Sequence, residues 1–222
     1  MRKNSITSET LGYSVNRRPI WLTKVSGPAK NTVLLLGGTH GDEPKSVFVL
    51  QRLIDLFTDQ PRRATQGRWI IVPLVNPDGY ERRNRRNANA VDINRNFPTP
   101  NWERTTRRTR MYGGEAPGSE PETLAVMQAV TRFRPNCIVT VHSIGGFRYC
   151  NNYDGPGAAI AKKMKKINGY PVKASIGYPT PGSFGAWAGR ERQIPVVTLE
   201  LPSHHSLKRC WEDNRDAFLN LP

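Results

Sequence analysis

His40 and Glu43 stand three positions apart in the small-residue turn Gly37-Gly38-Thr39-His40-Gly41-Asp42-Glu43. An imidazole and a carboxylate so placed can converge on one cation. Taken alone, the pair reads just as readily as a solvated loop histidine beside a glutamate at a helix start. Two later groups shift the balance. His142 directly follows the apolar stretch 136–141, and Glu200 lies at the end of the apolar stretch 194–201. An apolar run that stops at a chemically capable residue therefore recurs three times, which points to one shared edge rather than to chance.

The elements that must position these residues follow from the patterning. Residues 32–36 form a short apolar run bounded by glycines, the signature of a buried strand. Pro44 in a first turn, followed by Val47, Leu50, Leu53, Ile54 and Phe57 at helical spacing, predicts a helix over 44–57. A hairpin is expected at 12–25 around the polar turn Asn16-Arg17-Arg18-Pro19, and a strand at 68–75 closed by the turn Asn76-Pro77-Asp78-Gly79. Ser119-Glu120-Pro121-Glu122 has the spacing of a capping box and predicts a helix to about Arg132. A helix over about 156–167 and a last one over about 206–219 complete the reading. Strands alternating with helices predict an α/β fold, a mixed and largely parallel sheet flanked by helices, with 1–222 as a single domain. In such sheets ligands bind at the carboxyl ends of the strands, where the turn, His142 and Glu200 all stand.

Composition narrows the partners. The 222 residues carry 33 Lys and Arg against 18 Asp and Glu, a formal charge of +15. That field favours anionic partners at long range, whether nucleic acid, an anionic glycopolymer or a small acidic substrate, although it also serves solubility. Arginine is concentrated in the irregular segment 80–118, at 82, 83, 85, 86, 95, 104, 107, 108 and 110. A long irregular stretch between regular elements is expected to be functional. Cys137, Cys150 and Cys210 lack C-x-x-C spacing, which argues against a zinc ribbon or a redox pair and fits a reducing compartment. The basic N-terminus has no apolar segment behind it, and no run approaches the length of a membrane span. A cytoplasmic location is the expectation.

The ordered combination His40-x-x-Glu43, Asp92-Ile93-Asn94-Arg95-Asn96-Phe97-Pro98, Val141-His142-Ser143 and Thr198-Leu199-Glu200-Leu201 resembles the zinc metallocarboxypeptidases of the carboxypeptidase A type. The resemblance covers about residues 30–202. It implies a carboxypeptidase A-like fold and one Zn2+ per chain, held by His40, Glu43 and His142 with one coordination position left open. It implies that Asp92 hydrogen-bonds the first histidine, and that Glu200 is the general base and acid. Arg85 is implied as the stabiliser of the oxyanion, with its neighbour Arg86 the alternative register. Asn94 and Arg95 are implied as the grip on the substrate's terminal carboxylate, and Tyr178 as the cap over it. His204 and His205 lie beyond the matched motifs and are expected at the surface.

The string Thr180-Pro181-Gly182-Ser183-Phe184-Gly185, with 87–92 in support, resembles the bacterial murein peptide amidases within that family. This implies cleavage of the γ-D-glutamyl–meso-diaminopimelate bond, with a small acidic peptide such as the murein tripeptide as partner. Its several carboxylates suit the arginine-rich segment. Three alternatives stay open on the sequence: a general carboxypeptidase acting on L-residue termini, an acylase of the aspartoacylase type, and a non-catalytic basic module that binds nucleic acid or wall polymer. The last would show binding that falls steeply with salt.

Overall fold

The computed structural model describes residues 5–27, 30–64 and 67–222. Its frame is one eight-stranded sheet. β1 (Ile6–Tyr13) and β2 (Pro19–Val25) form the expected hairpin, closed by Ser14 N to Arg18 O at 2.8 Å. β3 (Thr32–Leu36) leads through the His40 turn into α1 (Pro44–Asp59), and β4 (Arg68–Val72) into the short α2 (Pro77–Glu81). An irregular stretch then runs to α3 (Pro121–Phe133), which returns the chain to β5 (Cys137–Ile144). β6 (Cys150–Asp154), α4 (Ala158–Asn168), β7 (Val172–Lys173), β8 (Val196–Pro202) and α5 (Leu207–Leu219) follow. The strand order is β1-β2-β4-β3-β5-β8-β6-β7.

The centre of this sheet, β4-β3-β5-β8, is parallel, and the antiparallel hairpin extends one side of it. On the other side β6 lies antiparallel to β8 and β7 parallel to β6. All five residues of β3 are buried, because both faces of the sheet are covered. Leu35, Ile71, Val139, Val141 and Leu199 pack with Val49, Leu53 and Phe57 of α1 and Phe218 of α5. Leu34, Leu36, Ile70 and Ile138 face Val126 and Ala129 of α3 and the aromatic ring of Trp187. Alternate residues of one strand thus feed two cores, and each fully buried leucine contributes about 1.5–3 kcal/mol.

Several local expectations are corrected. β4 ends at Val72 rather than at 75, and the anticipated turn at 76–79 opens α2, with the Asn76 side chain accepting from Gly79 N at 2.8 Å as an N-cap. The capping box before α3 does not form. Glu120 occupies the N-cap without a side-chain cap bond, Ser119 Oγ donates to the Glu120 carboxylate, and Glu122 accepts from Val15 N and Asn87 Nδ2. Tertiary partners outbid the local cap. β5 continues three residues past Val141, so His142 lies within a strand rather than after one. β6 and β7 have no counterpart in the apolar patterning, since Cys150-Asn151-Asn152-Tyr153-Asp154 is mostly polar.

Candidate metal centre and its cleft

The His40 turn is held by backbone contacts before any side chain acts. Gly37 N donates to Val72 O and Val75 N to Gly37 O, which ties the turn to the end of β4. At Gly41 the chain passes directly against α2, where an added Cβ would fall 2.0 Å from the Gly79 carbonyl carbon, so glycine is required for steric reasons. The turn thereby aims His40 and Glu43 inward, over the carboxyl end of the sheet. β5 and β8 run parallel with His142 opposite Glu200, which puts these two side chains on the same side of the sheet as neighbours.

The predicted ligand set meets at one point. Glu43 Oε1 lies 2.8 Å from His40 Nδ1, Glu43 Oε2 lies 2.9 Å from His142 Nδ1, and the two Nδ1 atoms are 3.1 Å apart. All three residues are buried, and their ligand atoms lie within 4.8 Å of one another. Asp92 Oδ1 lies 3.0 Å from His40 Nε2. A carboxylate accepts only, so Nε2 carries a proton, and once Nδ1 is deprotonated its lone pair faces the shared point. Two imidazole nitrogens and one carboxylate converging in this way form the donor set of a catalytic zinc site, and they fit a zinc ion.

The electrostatics agree. Burial pushes His40 down, but the Glu43 and Asp92 carboxylates outweigh it and push it up to about 9. Burial would raise Glu43 and Asp92; instead the His40 imidazole, joined by His142 at Glu43 and by Arg85 at Asp92, holds both well below the usual carboxylate range. The Glu43 and Asp92 carboxylates hold positive charge at His40, and that charge is the one a bound cation would replace.

Asp92 is the joint of the site. Its Oδ2 accepts from Arg85 Nε at 2.9 Å, and Oδ1 also accepts from Asn94 N at 3.0 Å. Arg85 Nη1 stands 3.6 Å from Glu43 Oε1, whereas Arg86 turns away and donates to the carbonyls of Arg107 and Thr109. The structure thus places Arg85, not Arg86, against the ligand set. Glu200 lines the same cleft at 6% exposure, and among the described residues no donor engages its carboxylate. Burial pushes its pKa up, with His142 opposing and Glu43 adding to the rise.

The cleft holds about 1190 Å³ and extends from this cluster past Asn94, Arg95 and Tyr178. Asn94 Oδ1 accepts from Phe184 N at 2.9 Å, pinning the loop ahead of Gly185. Arg95 is buried; among the described residues no carboxylate pairs with it, although its charge reaches Asp92 and helps to lower that carboxyl. Nη1 donates to the Asn94 carbonyl at 2.6 Å, Nη2 approaches Met111 Sδ at 3.6 Å, and Nε has no partner. Tyr178 is exposed at the cleft wall.

Other groups near the cleft escaped sequence reasoning. Asp154 at the end of β6 pairs with Arg190 Nε at 2.7 Å inside the cleft. Gly185 and Gly189 make room for it, since a Cβ at either would fall 2.2 Å from Asp154 Oδ2 or 2.7 Å from its Cβ. The paired glycines in Gly185-Ala186-Trp187-Ala188-Gly189 were the available signal. Asn96, fully buried, ties the irregular segment together by donating to Gly113 O, Ala116 O and Ser119 Oγ and accepting from Glu120 N. Lys45 Nζ donates to the carbonyls of Pro202 at 3.0 Å, Ser203 at 2.6 Å and His205, which binds α1 to the chain just beyond Glu200. His204 is exposed as expected, while His205 is half-buried against Asp213.

Known proteins share both the sequence and the fold. Residues 1–154 match the zinc carboxypeptidase family. Murein peptide amidase A of Escherichia coli K12 is 33% identical over 206 residues, spanning 88% of this chain and 81% of that protein. Murein peptide amidase A of Vibrio campbellii is 32% identical over 228 residues, spanning 97% and 87%. The crystal structure of murein-tripeptide amidase from Escherichia coli O157 superposes with a TM-score of 0.76 at 29% identity, covering 99% of this chain and 97% of that one. With the ligand set assembled at the carboxyl edge of a carboxypeptidase A-like sheet, the chain belongs to the zinc carboxypeptidase family and is a zinc metallopeptidase.

Proposed function

We propose that this enzyme hydrolyses the amide bond preceding a carboxylate-bearing terminal residue, and that its substrate is the γ-D-glutamyl–meso-diaminopimelate bond of a murein tripeptide. The observation that carries the reading is Arg95, a guanidinium 3% exposed whose Nε has no partner among the described residues and whose other contacts are a carbonyl and a thioether. A buried cation without an anion is costly, and a ligand carboxylate in the cleft would supply the missing charge-assisted bonds. Similarity to two murein peptide amidases over most of the chain supports the choice of substrate. Residues 1–222 then act as a single catalytic domain. Three free, buried cysteines fit a cytoplasmic setting, and among the described residues no helix is long and apolar enough to cross a membrane.

The residues divide the work by position. His40, Glu43 and His142 hold the zinc, and Asp92 fixes the tautomer of His40. Zinc, when bound, supplies Lewis acidity that polarises the scissile carbonyl and eases the deprotonation of water. Glu200, its carboxylate free and its pKa raised by burial, accepts the proton of the attacking water and delivers it to the leaving nitrogen. Arg85, held by Asp92 beside Glu43, donates to the oxygen that gains charge. Asn94 and Arg95 grip the terminal carboxylate, and Tyr178 closes over it from the exposed wall.

The deciding experiment offers the zinc-loaded protein L-alanyl-γ-D-glutamyl-meso-diaminopimelate and, side by side, a peptide ending in an ordinary L-residue, with products read by mass spectrometry. Release of diaminopimelate is expected. Trimming of the ordinary peptide alone overturns the amidase reading and leaves a general carboxypeptidase.

A further inference from the structure

A second cavity of about 370 Å³ opens beside the metal centre, lined by Arg83, Arg85, Arg86, Arg108, Arg110 and Asp42. Five guanidinium groups face one carboxylate. Arg110 pairs with that carboxylate at 3.2 Å, Arg85 is committed to Asp92, and Arg86 to backbone carbonyls. The side chains of Arg83 and Arg108 engage no partner among the described residues. Arg83 also sits at φ 50°, just past the end of α2, a left-handed position where glycine or asparagine is the usual occupant. Like charges crowded together at a backbone position that disfavours arginine have no structural return of their own.

The cavity joins the main cleft through Asp42, Arg85 and Arg110, while Arg95, Tyr178 and Gly185 line the main cleft alone. A ligand gripped at Arg95 and passing the metal centre therefore carries its acyl part toward the arginines. We infer that this groove binds a carboxylate on the acyl side of the scissile bond, so that the enzyme reads an anion at both ends of its substrate. The inference rests on the proposed amidase reading, under which the γ-linked glutamyl residue keeps its free α-carboxylate on that side.

The test compares kcat/KM for the tripeptide bearing a free glutamyl α-carboxylate with that for the same tripeptide bearing an α-carboxamide. The native enzyme is expected to prefer the carboxylate by about tenfold or more, the worth of a charge-assisted contact. The Arg83→Ala/Arg108→Ala double variant, with unchanged zinc content and melting temperature, is expected to bring the ratio to within about twofold, and Arg108→Gln alone to an intermediate value. A ratio that is the same in native and variant protein overturns the inference. Equal cleavage of both tripeptides by the native enzyme overturns the groove but leaves the amidase reading standing, whereas cleavage of neither overturns both. Should the double variant lose salt-sensitive binding of a single-stranded oligonucleotide while keeping the carboxylate preference, the groove is a polyanion site and the inference fails.

Discussion

At the metal end of the cleft, His40, Glu43, His142 and Glu200 stand on or beside the central strands, and the ligand charges meet opposite charges within 3 Å or so. At the other end, Asn94 and Arg95 stand on a single 3-10 turn, Ile93–Arg95, and Tyr178 on a loop, and among the described residues no carboxylate pairs with the Arg95 guanidinium. The first end is electrostatically complete once a cation is seated. The second is complete only when substrate arrives. On the proposed reading the catalytic groups are fixed by the sheet, while the groups that choose the substrate stand on the segments between strands that side chains such as Asn96 hold in shape.

This contrast can be broken by substitution. Glu200→Gln removes the proposed base without touching a proposed ligand, so kcat is expected to fall about a hundred- to ten-thousandfold while zinc content measured by atomic absorption stays near one per chain. Loss of zinc together with activity would mean that the two functions are not separate at the strand ends. At the other end, Arg95→Ala is expected to lower kcat/KM about ten- to a hundredfold with full zinc retention, chiefly through KM, because it removes the proposed charge-assisted grip on substrate.

Asp92→Asn probes the seam between the two ends, since Asp92 touches both His40 and Arg85. Its expected effect is a ten- to hundredfold loss of zinc affinity, read by competition with a chromogenic chelator. Tyr178→Phe should do least, about a two- to tenfold loss in kcat/KM with kcat for the chemical step little changed, as expected for one hydroxyl on an exposed loop. A loss larger than that for Arg95→Ala would move the centre of substrate recognition from the buried guanidinium to the loop.

The same division explains what the sequence could disclose. His40, Glu43, His142 and Glu200 were legible because each stands at or near the end of an apolar run, where the amino-acid pattern changes abruptly. The central strands and α1, α3, α4 and α5 were legible for the same reason, through burial on one or both faces. β6 was not, because its polar residues are satisfied by pairing with β8 and by side-chain bonds such as Asn151 to Asn168 and the Tyr170 carbonyl. The capping-box spacing at 119–122 misled because Asn87 and Val15, far away in sequence, claim the glutamates. Asp154 stayed hidden because its place in the cleft depends on two glycines that adjoin it only after folding.

Lys45 adds a mechanical consequence. Its ammonium spends all three of its protons on the carbonyls of Pro202, Ser203 and His205, and so makes a tripod between the helix that follows Glu43 and the chain that follows Glu200. The proposed ligand Glu43 and the proposed base Glu200 are thereby tied together through one side chain. Tyr178 stands across the same cleft on the 174–184 wall, outside this tripod. On the proposed reading this cross-tie joins the ligand-bearing turn to the base-bearing strand, so that packing around one ammonium serves both.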